Sequence, residues 1–534
     1  MEKFIYPSFD EWEGLLTDNL RLQEATFNQH PELETIRHKA RSAAIIEAVR
    51  TAKTIGIDSP NPLLTASPII GTGHQPYFFH AGVISKNILI KQFAEKVNGT
   101  TIFINIDSDQ VNDGTIFLPN VDSDQNVGLR SEKLFDFGGY DSFEDIRKVD
   151  TSDLIGKFDQ FIEAMKKDQL PYEPFERWVD KIKLSNLEPK EPYLSLMVKL
   201  RNLWDEEFNQ PTLELFVSTI SAHTGFKLFA TLILKKIKLF HTIYNSELDS
   251  YRKLKKLRYK ANPFPNLKEI DGRLFETPFW LKEEGEKRSA LYIDDKQKLI
   301  RGSDESLLGG VEEMLDGNFP IRPKAILLTA YIRLFLTDLF VHGIGGAKYD
   351  TITDQIISRF FNIDSPRFVS VTVSPDQMKS KKGENNQLDA QKLPNCQRGD
   401  CKIVETQLLD CKLSDCQRAI EDLKTRLRQI DYAPESFKNE LNSVKFNQLI
   451  EDKKRLIEEI SLAKKSEKRV LASQISSINK KLSSDLAIVR NKIESVIENV
   501  EKLVEANKGR SYREYPYFLY NRSQIADKLL KSTV

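Results

Sequence analysis

Residues 68–109 read PIIGTGHQPYFFHAGVISKNILIKQFAEKVNGTTIFINIDSD, and they contain the clearest signals of the fold. Pro68–Gly71 is short and apolar, as in a buried strand, and Gly71–Gln75 (GTGHQ) has the glycines of a tight turn. Val83–Val97 spaces its apolar residues as a helix does, and Thr101–Ile106 (TIFINI) is a second β-rich run. Strand, turn, helix and strand in this order form a βαβ unit with parallel strands and a right-handed crossover. The chain is therefore predicted to contain an α/β core.

Polar residues gather where these two strands end. His74, Gln75 and His80 follow the first strand, and Asp107 and Asp109 follow the second. Ligands of open α/β sheets bind beyond the carboxyl ends of the strands, and the glycines let the backbone at a helix amino terminus approach an anion. The two carboxylates suit a magnesium ion or a substrate amine. The predicted catalytic residues are His74, His80, Asp107 and Asp109, and the predicted binding residues of this stretch are Gly73, Gln75 and Lys86.

A structural role for the same side chains stays open. The carboxylates are followed by Asn112, Asp113 and Gly114, so they also fit the turn chemistry in which aspartate is common. On the residues alone, the two histidines fit a structural role and a catalytic role equally.

A long apolar run marks the later part of the core. Ile321–Lys324 (IRPK) is predicted to open a buried helix over Ile326–Val341, with Gly343 as its carboxyl cap. The run contains Arg333 and Asp338 and is shorter than the ~20 residues of a membrane helix. No membrane span is predicted.

A glycine-rich loop follows this run. His342–Asp350 (HGIGGAKYD) is predicted to lead into a helix that begins with a capping box of Thr351 and Asp354. Glycines permit close contact with a ligand, and a lysine supplies a flexible cation for phosphate or carboxylate, although junctions between helices also use glycine for conformation alone. The predicted binding residues of this second group are Arg322, Gly345, Gly346, Lys348 and Asp350.

The segment Glu276–Ile293 is predicted to form two strands joined by the charged turn Glu283–Lys287. Phe279 and Trp280 are expected to pack in the core, so packing is the favoured role of this segment and a pocket wall is the alternative.

From about Leu409 to Leu503 the chain is rich in lysine, glutamate and serine, and it contains one proline, Pro434, and no glycine. Apolar residues recur there every seven positions, interleaved by others three or four residues on, which is the pattern of a coiled coil. A solvated single helix is the alternative. Whether the partner helix lies in the same chain or in a second copy is left open by the sequence. The seven-residue series is Ile475, Leu482, Val489, Val496 and Leu503.

These changes of composition divide the chain. We predict a core over residues 1–373, a polar connector over 374–408, a helical coiled-coil arm over 409–508 and a terminal segment over 509–534. Tyr512–Tyr520 (YREYPYFLY) is strongly aromatic, and we expect it to pack back on the core because aromatic side chains lose little by burial.

All four cysteines lie between positions 396 and 416. Their spacing is wider than in most zinc sites, and Cys416 falls on the helical seam, so zinc is disfavoured. The cysteines are Cys396, Cys401, Cys411 and Cys416.

The composition is that of a soluble globular protein of several units. The chain has 534 residues, 40% of them hydrophobic, and 78 basic residues balance 78 acidic ones. Zero net charge disfavours nucleic acid as the main ligand but allows a local cationic pocket. The amino terminus has no secretory pattern, which predicts a cytoplasmic protein.

The motifs resemble those of the bacillithiol-biosynthesis cysteine-adding enzymes, as in a distant relative. In addition, His80-Ala81-Gly82-Val83 is similar to the His-x-Gly-His signature of related nucleotidylyltransferases, with valine in place of the second histidine. The elements shared with the cysteine-adding enzymes, in the same order, are Gly73-His74-Gln75 after a strand, the Asp107/Asp109 turn, Arg322-Pro323 before a helix, the Gly343–Gly346 cluster, and a late helical arm with an aromatic tail.

The resemblance implies a Rossmann-like core of the nucleotidylyltransferase type, an inserted coiled-coil arm and a homodimer. It implies a ligase that condenses cysteine or a similar carboxylate with an amino-sugar-type amine. The small-molecule reaction would use ATP or another nucleotide, with magnesium, at the first βα turn. The alternative function is a non-catalytic coiled-coil scaffold or assembly protein with a vestigial nucleotide-binding core.

Overall fold

The structure is a computed structural model, and it describes residues 3–57, 68–124, 126–205, 212–259, 261–316, 319–375, 378, 413–441 and 443–530. The strands are β1 Lys3–Tyr6, β2 Ile69–His74, β3 Thr100–Asn105, β4 Thr115–Val121, β5 Val127–Lys133, β6 Lys148–Asp150, β7 Lys190–Pro192, β8 Leu213–Phe216, β9 Glu269–Ile270, β10 Leu274–Leu281, β11 Ser289–Asp294, β12 Lys298–Arg301, β13 Leu307–Gly310, β14 Ile321–Pro323, β15 Leu339–His342 and β16 Val369–Val373.

The helices of the core are α1 Trp12–Gln29, α2 Pro31–Ile55, α3 Ala81–Val97, α4 Thr151–Lys167, α5 Glu173–Leu184, α6 Tyr193–Trp204, α7 Val217–Ala222, α8 Thr224–Lys235, α9 Ile237–Leu254, α10 Glu313–Asp316, α11 Ala325–Tyr331 and α12 Ile344–Ile356. The late helices are α13 Leu413–Tyr432, α14 Val444–Leu462, α15 Lys465–Asp485, α16 Ala487–Ala506 and α17 Arg522–Leu530.

A six-stranded sheet in the order β1-β16-β15-β2-β3-β8 is the centre of the fold. The strands from β16 to β8 are parallel, and β1 joins the edge antiparallel to β16. The predicted βαβ unit is confirmed, because β2 and β3 are parallel neighbours connected by α3, with Gly71 opposite Ile102. The α/β class is therefore confirmed.

Helices cover both faces of this sheet. Phe103 packs on one face in a cluster with Ile84 and Ile88 of α3. Ile102 and Ile104 point to the other face, in a cluster with residues of α2, α8 and α12. The chain proceeds from β2 to β3 and β8 in one direction and occupies β15 and β16 in the other, so the strand order reverses between β2 and β15. Such a reversal opens a crevice at the carboxyl ends of the strands.

The apolar run Ile326–Val341 is not one helix, and that prediction was wrong. α11 continues in a π-helical turn that ends at Leu336, and Leu339–His342 is the strand β15 inside the sheet. A parallel strand that is buried on both faces is apolar at every position. Apolar periodicity alone does not separate such a strand from a buried helix.

The assignment of the following caps was wrong for the same reason. Because β15 precedes it, Gly343 is the amino cap of α12 and not the carboxyl cap of an earlier helix. Thr351 and Asp354 lie in the interior of α12, so they do not form a capping box at its start.

A second sheet has the order β13-β12-β11-β10-β14 and is antiparallel. The predicted pair of strands in Glu276–Ile293 is confirmed as β10 and β11, which pair across the charged turn. Phe279 is fully buried and Trp280 is partly exposed. β14 pairs with β10 and places Arg322 opposite Trp280.

The late helices pack in two pairs, α13 against α16 and α14 against α15. Their shared interior contains Ile430, Phe446, Leu482 and Val500. The helical path is interrupted at Leu486, between α15 and α16. Within the described ranges, no helix is both long and apolar enough to cross a membrane.

The aromatic residues after α16 lie in the main core. Tyr517 and Phe518 are fully buried, and Phe518 stacks on Trp178 with a centroid distance of 4.9 Å. The backbone N–H of Tyr517 donates to the carbonyl of Phe79 at 2.9 Å, just before α3. The terminal segment is thereby held against the β2–α3 connection.

Candidate functional site

Three neighbouring parallel strands end at polar residues. β15 ends at His342, β2 at His74 and β3 at Asn105. His74 and Asn105 are opposite each other in the register of β2 and β3. Of the predicted site residues, His74 therefore lies at the carboxyl edge of the sheet, beside the point where the strand order reverses.

The glycines of β2 have a packing role. A Cβ at Gly71 would lie 2.4 Å from the side chain of Thr337, and one at Gly73 would lie 2.6 Å from the carbonyl oxygen of Ile104. Glycine is thus required by the close approach of neighbouring chain segments. This packing role accounts for both residues without a ligand, and the binding role of Gly73 stays a prediction.

His80 stands at the amino terminus of α3 as its cap. Its Nδ1 accepts a hydrogen bond from the backbone N–H of Gly82 at 3.0 Å, and its Nε2 lies 3.5 Å from the carboxylate of Glu514. Burial, with help from the charges of Arg513 and Lys86, lowers the pKa of His80 to about 4. The ring is therefore neutral near neutral pH in the free protein.

Gly82 is the point where three groups converge. A Cβ there would lie 2.4 Å from Oγ1 of Thr372 and within 2.9 Å of the His80 ring. Arg513 donates to the same hydroxyl of Thr372. The guanidinium of Arg513 is thus placed beside the amino terminus of α3, where the positive end of the helix dipole lies.

Lys86 is a buried cation one turn further along α3. Its residue is 4% exposed, and Nζ donates to the carbonyl of Gly73 at 2.9 Å. Burial lowers the pKa of this amine to about 7. A charged amine in this position has left water for one backbone oxygen, which is costly unless an anion is near.

His74 lies beside this lysine. The ring is edge-on to Phe79 at a centroid distance of 5.1 Å, and burial followed by the charge of Lys86 lowers the pKa of His74 to about 3. We name His74, His80, Lys86 and Arg513 the cationic cluster. Among the described residues, His80 forms an ion pair with the exposed Glu514, and this is the ion pair of the three members His74, His80 and Lys86.

The two predicted aspartates bind different partners. Asp107 is fully buried and accepts hydrogen bonds from the backbone N–H of Ser218 at 3.0 Å and from its hydroxyl. Burial and the nearby charge of Glu144 raise the pKa of Asp107 to about 6. Asp109 instead accepts from Nε2 of Gln75 at 2.6 Å and lies 3.7 Å from Arg288.

These separate partners do not fit a magnesium ion shared by Asp107 and Asp109, because Ser218 already engages both carboxylate oxygens of Asp107. No group of three or more metal-binding side chains occurs among the residues that the structure describes. Cys396, Cys401 and Cys411 lie outside those residues, and Cys416 falls on α13. The expectation that zinc is disfavoured therefore stays a prediction.

Arg322 faces the aspartates from the second sheet. Its guanidinium binds the carboxylate of Glu144 through two nitrogens, at 2.6 and 3.1 Å, and both side chains are largely buried. The charge of Arg322 is thus already matched by Glu144. Its direct effect is to hold the second sheet against the segment between β5 and β6, where the backbone N–H of Glu144 donates to the carbonyl of Asp107 at 2.9 Å.

The second predicted group lies at the start of α12. Gly345, Gly346 and Lys348 are exposed in its first turns. Asp350 is buried, 2.7 Å from Nε2 of His342 and 2.8 Å from Nη1 of Arg333. Burial alone would raise the pKa of Asp350, but His342 and Arg333 lower it to about 2.

The structure thus brings His74, His80 and Lys86 together and adds residues that the sequence did not single out. Arg513 comes from the aromatic terminal segment, and its presence could have been suspected because that segment was expected to return to the core. Thr372 lies on β16, and His342 is the last residue of β15. The strand β15 was missed because most of its residues were predicted as part of a helix.

Comparison with models of protein families finds no match for this chain, and comparison with curated proteins finds none either. The site geometry therefore supplies the evidence for function.

Proposed function

We propose that this chain is an enzyme that binds the phosphates of a nucleotide such as ATP at the cationic cluster. The observation that supports this most is Lys86, a buried amine of α3 that, among the described residues, donates a hydrogen bond to the backbone carbonyl of Gly73 near the end of β2. Perturbed, buried titratable groups collect at functional sites because chemistry needs them there. A bound phosphate would offset the free-energy cost of burying the charged amine of Lys86, and it would lie at the positive end of the α3 dipole.

The protonation states favour a phosphate in a specific way. In the free protein His74 and His80 are neutral, and Lys86 has a pKa near the physiological range. A bound dianion would favour the charged forms of all three, so binding should draw protons into the site. Arg513, which is exposed, supplies a permanent charge at the same helix end.

The proposed reaction is the formation of a carbon–nitrogen bond. The resemblance to the cysteine-adding enzymes suggests a carboxylate such as cysteine and an amino-sugar-type amine as substrates. Phosphate binding at the β2–α3 turn suits the activation of that carboxylate, because a held phosphate places the leaving group and offsets its charge. ATP would supply the phosphoryl or adenylyl group, and magnesium would come with the nucleotide.

The architecture supports the proposal as well. We infer a Rossmann-like core, because the parallel strands, the helices on both faces and the reversal between β2 and β15 are the features with which that fold binds nucleotides. A cytoplasmic location and a homodimer complete the proposal.

Calorimetric titration with ATP, with and without magnesium, tests the binding step. We expect Lys86→Met and His80→Ala to weaken ATP binding by about tenfold or more, the equivalent of about 1.4 kcal/mol. His38→Ala replaces an exposed histidine of α2 and is the matched control. Equal affinity in all four proteins would refute the assignment, and ATP-dependent amide formation from cysteine and glucosaminyl malate would then be tested in the wild type alone.

A second function, assembly through the late helices, is favoured by one observation. The far ends of α14 and α15 expose apolar side chains, with Leu462 at 89% and Val470 at 60% exposure. Between these two helices lies a groove of about 420 Å³ lined by Leu456 and Ile478 among polar residues. We propose that this end of the helical region acts as a coiled-coil arm that joins two copies of the chain.

Light scattering after size exclusion separates this role from catalysis. We expect the double variant Leu462→Asp, Val470→Asp to shift a dimer to a monomer while ATP affinity stays unchanged. Leu184→Asp, which alters an 85% exposed leucine of α5, is the control and should leave the dimer intact. A wild-type monomer would end the assembly proposal and leave the ATP proposal standing.

A further inference from the structure

His342 and Asp350 form a buried pair on the side of the crevice opposite α3. His342 is the last residue of β15 and is 8% exposed, and Asp350 lies in the second turn of α12 at 3% exposure. The 2.7 Å contact between Nε2 and Oδ2 joins the strand to the helix that follows it. The cationic cluster does not include either residue.

The carboxylate of this pair is held in its ionised form. Arg333 donates to Asp350 from Nη1 at 2.8 Å and is itself fixed by Asp354 at 2.7 Å and by the carbonyl of Pro366. Because the carboxylate of Asp350 lies 2.7 Å from Nε2, a proton on a neutral His342 ring is favoured at Nε2. Nδ1 is then the basic nitrogen of the ring.

Nδ1 of His342 points to the glycine turn of α12. A Cβ at Gly346 would lie 2.9 Å from this nitrogen, so glycine leaves room for a group to reach it. Gly345 and Gly346 are exposed. The ring is held edge-on by Phe340 at 4.6 Å and Phe368 at 5.1 Å, which fixes the direction in which Nδ1 points.

The pair lies next to the strand that leads to the cationic cluster. β15 runs parallel to β2 with Phe340 opposite Gly71, and Oγ1 of Thr72 donates to the carbonyl of Val341 at 2.8 Å. His342 therefore lies at the level of the residues that end β2. A base oriented by a carboxylate would then lie across the β15–β2 reversal from the amino terminus of α3, where the proposed phosphate binds.

We propose that His342 is the proton acceptor of the amide-forming step, with Asp350 and Arg333 as positioning residues; this rests on the proposed function. The amine nitrogen forms a C–N bond to the carbonyl carbon of an acyl phosphate made with ATP. The C–O bond to phosphate breaks, and its electron pair leaves on the phosphate oxygen. The proton that the nitrogen loses passes to Nδ1 of His342.

Chemical modification tests the free nitrogen without any assumption about the reaction. Diethylpyrocarbonate acylates unprotonated, accessible imidazole nitrogens, and peptide mass spectrometry assigns each site. We expect His342 to be modified in the native protein, together with the exposed His38. Gly346→Ala should block modification of His342 by crowding Nδ1, and Asp350→Asn should slow it because the ring loses its carboxylate. An unmodified His342 in the native wild type would overturn the inference.

Kinetics test the catalytic role. We expect His342→Gln and Gly346→Ala each to lower the rate of ATP-dependent amide formation by about 100-fold, as for removal of a general base, while ATP affinity changes less than about twofold. Gly346→Ala leaves the His342 and Asp350 side chains unmutated, crowds Nδ1 and adds a helix-favouring residue, so it remains informative if His342→Gln does not fold. Normal amide formation in Gly346→Ala would sink the inference, whereas loss of ATP binding in the wild type would sink the proposed function.

Discussion

The buried amine of Lys86 should make the stability of the core depend on pH in a defined direction. Lys86 is 4% exposed, and its pKa falls from 10.5 to about 7 on folding because the amine leaves water. An unfolded chain keeps a lysine protonated up to about pH 10. Above pH 7 the unfolded state therefore binds one more proton than the folded state, so stability must rise with pH.

The size of the effect follows from the two pKa values. Between about pH 7 and pH 9 this one group should add about 2 kcal/mol to the free energy of unfolding. Lys86→Met keeps a side chain of similar shape but removes the titrating amine. The stability of the wild type relative to Lys86→Met should therefore increase by about 2 kcal/mol over that range, and the variant should be at least as stable at pH 7 despite losing its bond to Gly73.

Urea unfolding followed by tryptophan fluorescence measures this difference. The chain has four tryptophans, Trp12, Trp178, Trp204 and Trp280, all outside the late helices, so the signal reports the core. Lys96→Met, an exposed position on the same helix, is the control and should show a flat difference from the wild type. Parallel pH curves for the wild type and Lys86→Met would refute the reasoning, because they would show that Lys86 stays charged in the folded protein.

Three further outcomes follow from the same contacts. Sulfate, which remains a dianion throughout, should bind more weakly by about tenfold per pH unit above pH 7 as Lys86 loses its proton, and a pH-independent affinity by calorimetry would contradict this. Gly82→Ala should lower both the sulfate affinity and the thermal stability, because the added Cβ would crowd the hydroxyl of Thr372. Unchanged values of both would show that Gly82 and Thr372 are not in close contact. Arg322→Ala should lower the free energy of unfolding in urea by about 3 kcal/mol, because Glu144 is left buried without its partner. A change near zero would show that the carboxylate of Glu144 is hydrated in the variant.

Much of the fold could be predicted because its signals are local. The βαβ unit rests on strand and helix periodicity within residues 68–109, and the β10–β11 pair rests on two β-rich runs with a charged turn between them. The strand β15 was missed because a strand that is covered on both faces has no alternation, and its apolar residues continue directly from those of α11.

The site was predictable in position but not in its partners. The rule that ligands bind at strand ends placed His74 and His80 correctly at the carboxyl edge. The contacts of Asp107 with Ser218, of Arg322 with Glu144 and of Arg513 with Thr372 join residues more than 100 positions apart. Sequence spacing contains no information on such pairs, so a shared Asp107/Asp109 site was expected where the structure has two separate ones.

A crystal structure of the protein grown with saturating ATP would show whether the cationic cluster binds phosphate. We expect density for a phosphate at the amino terminus of α3, within hydrogen-bonding distance of Nε2 of His80 and of the guanidinium of Arg513, with Lys86 adjacent. Ordered ATP at another place, or an empty β2–α3 turn in crystals in which ATP is saturating, would contradict the claim that the cationic cluster is a phosphate site.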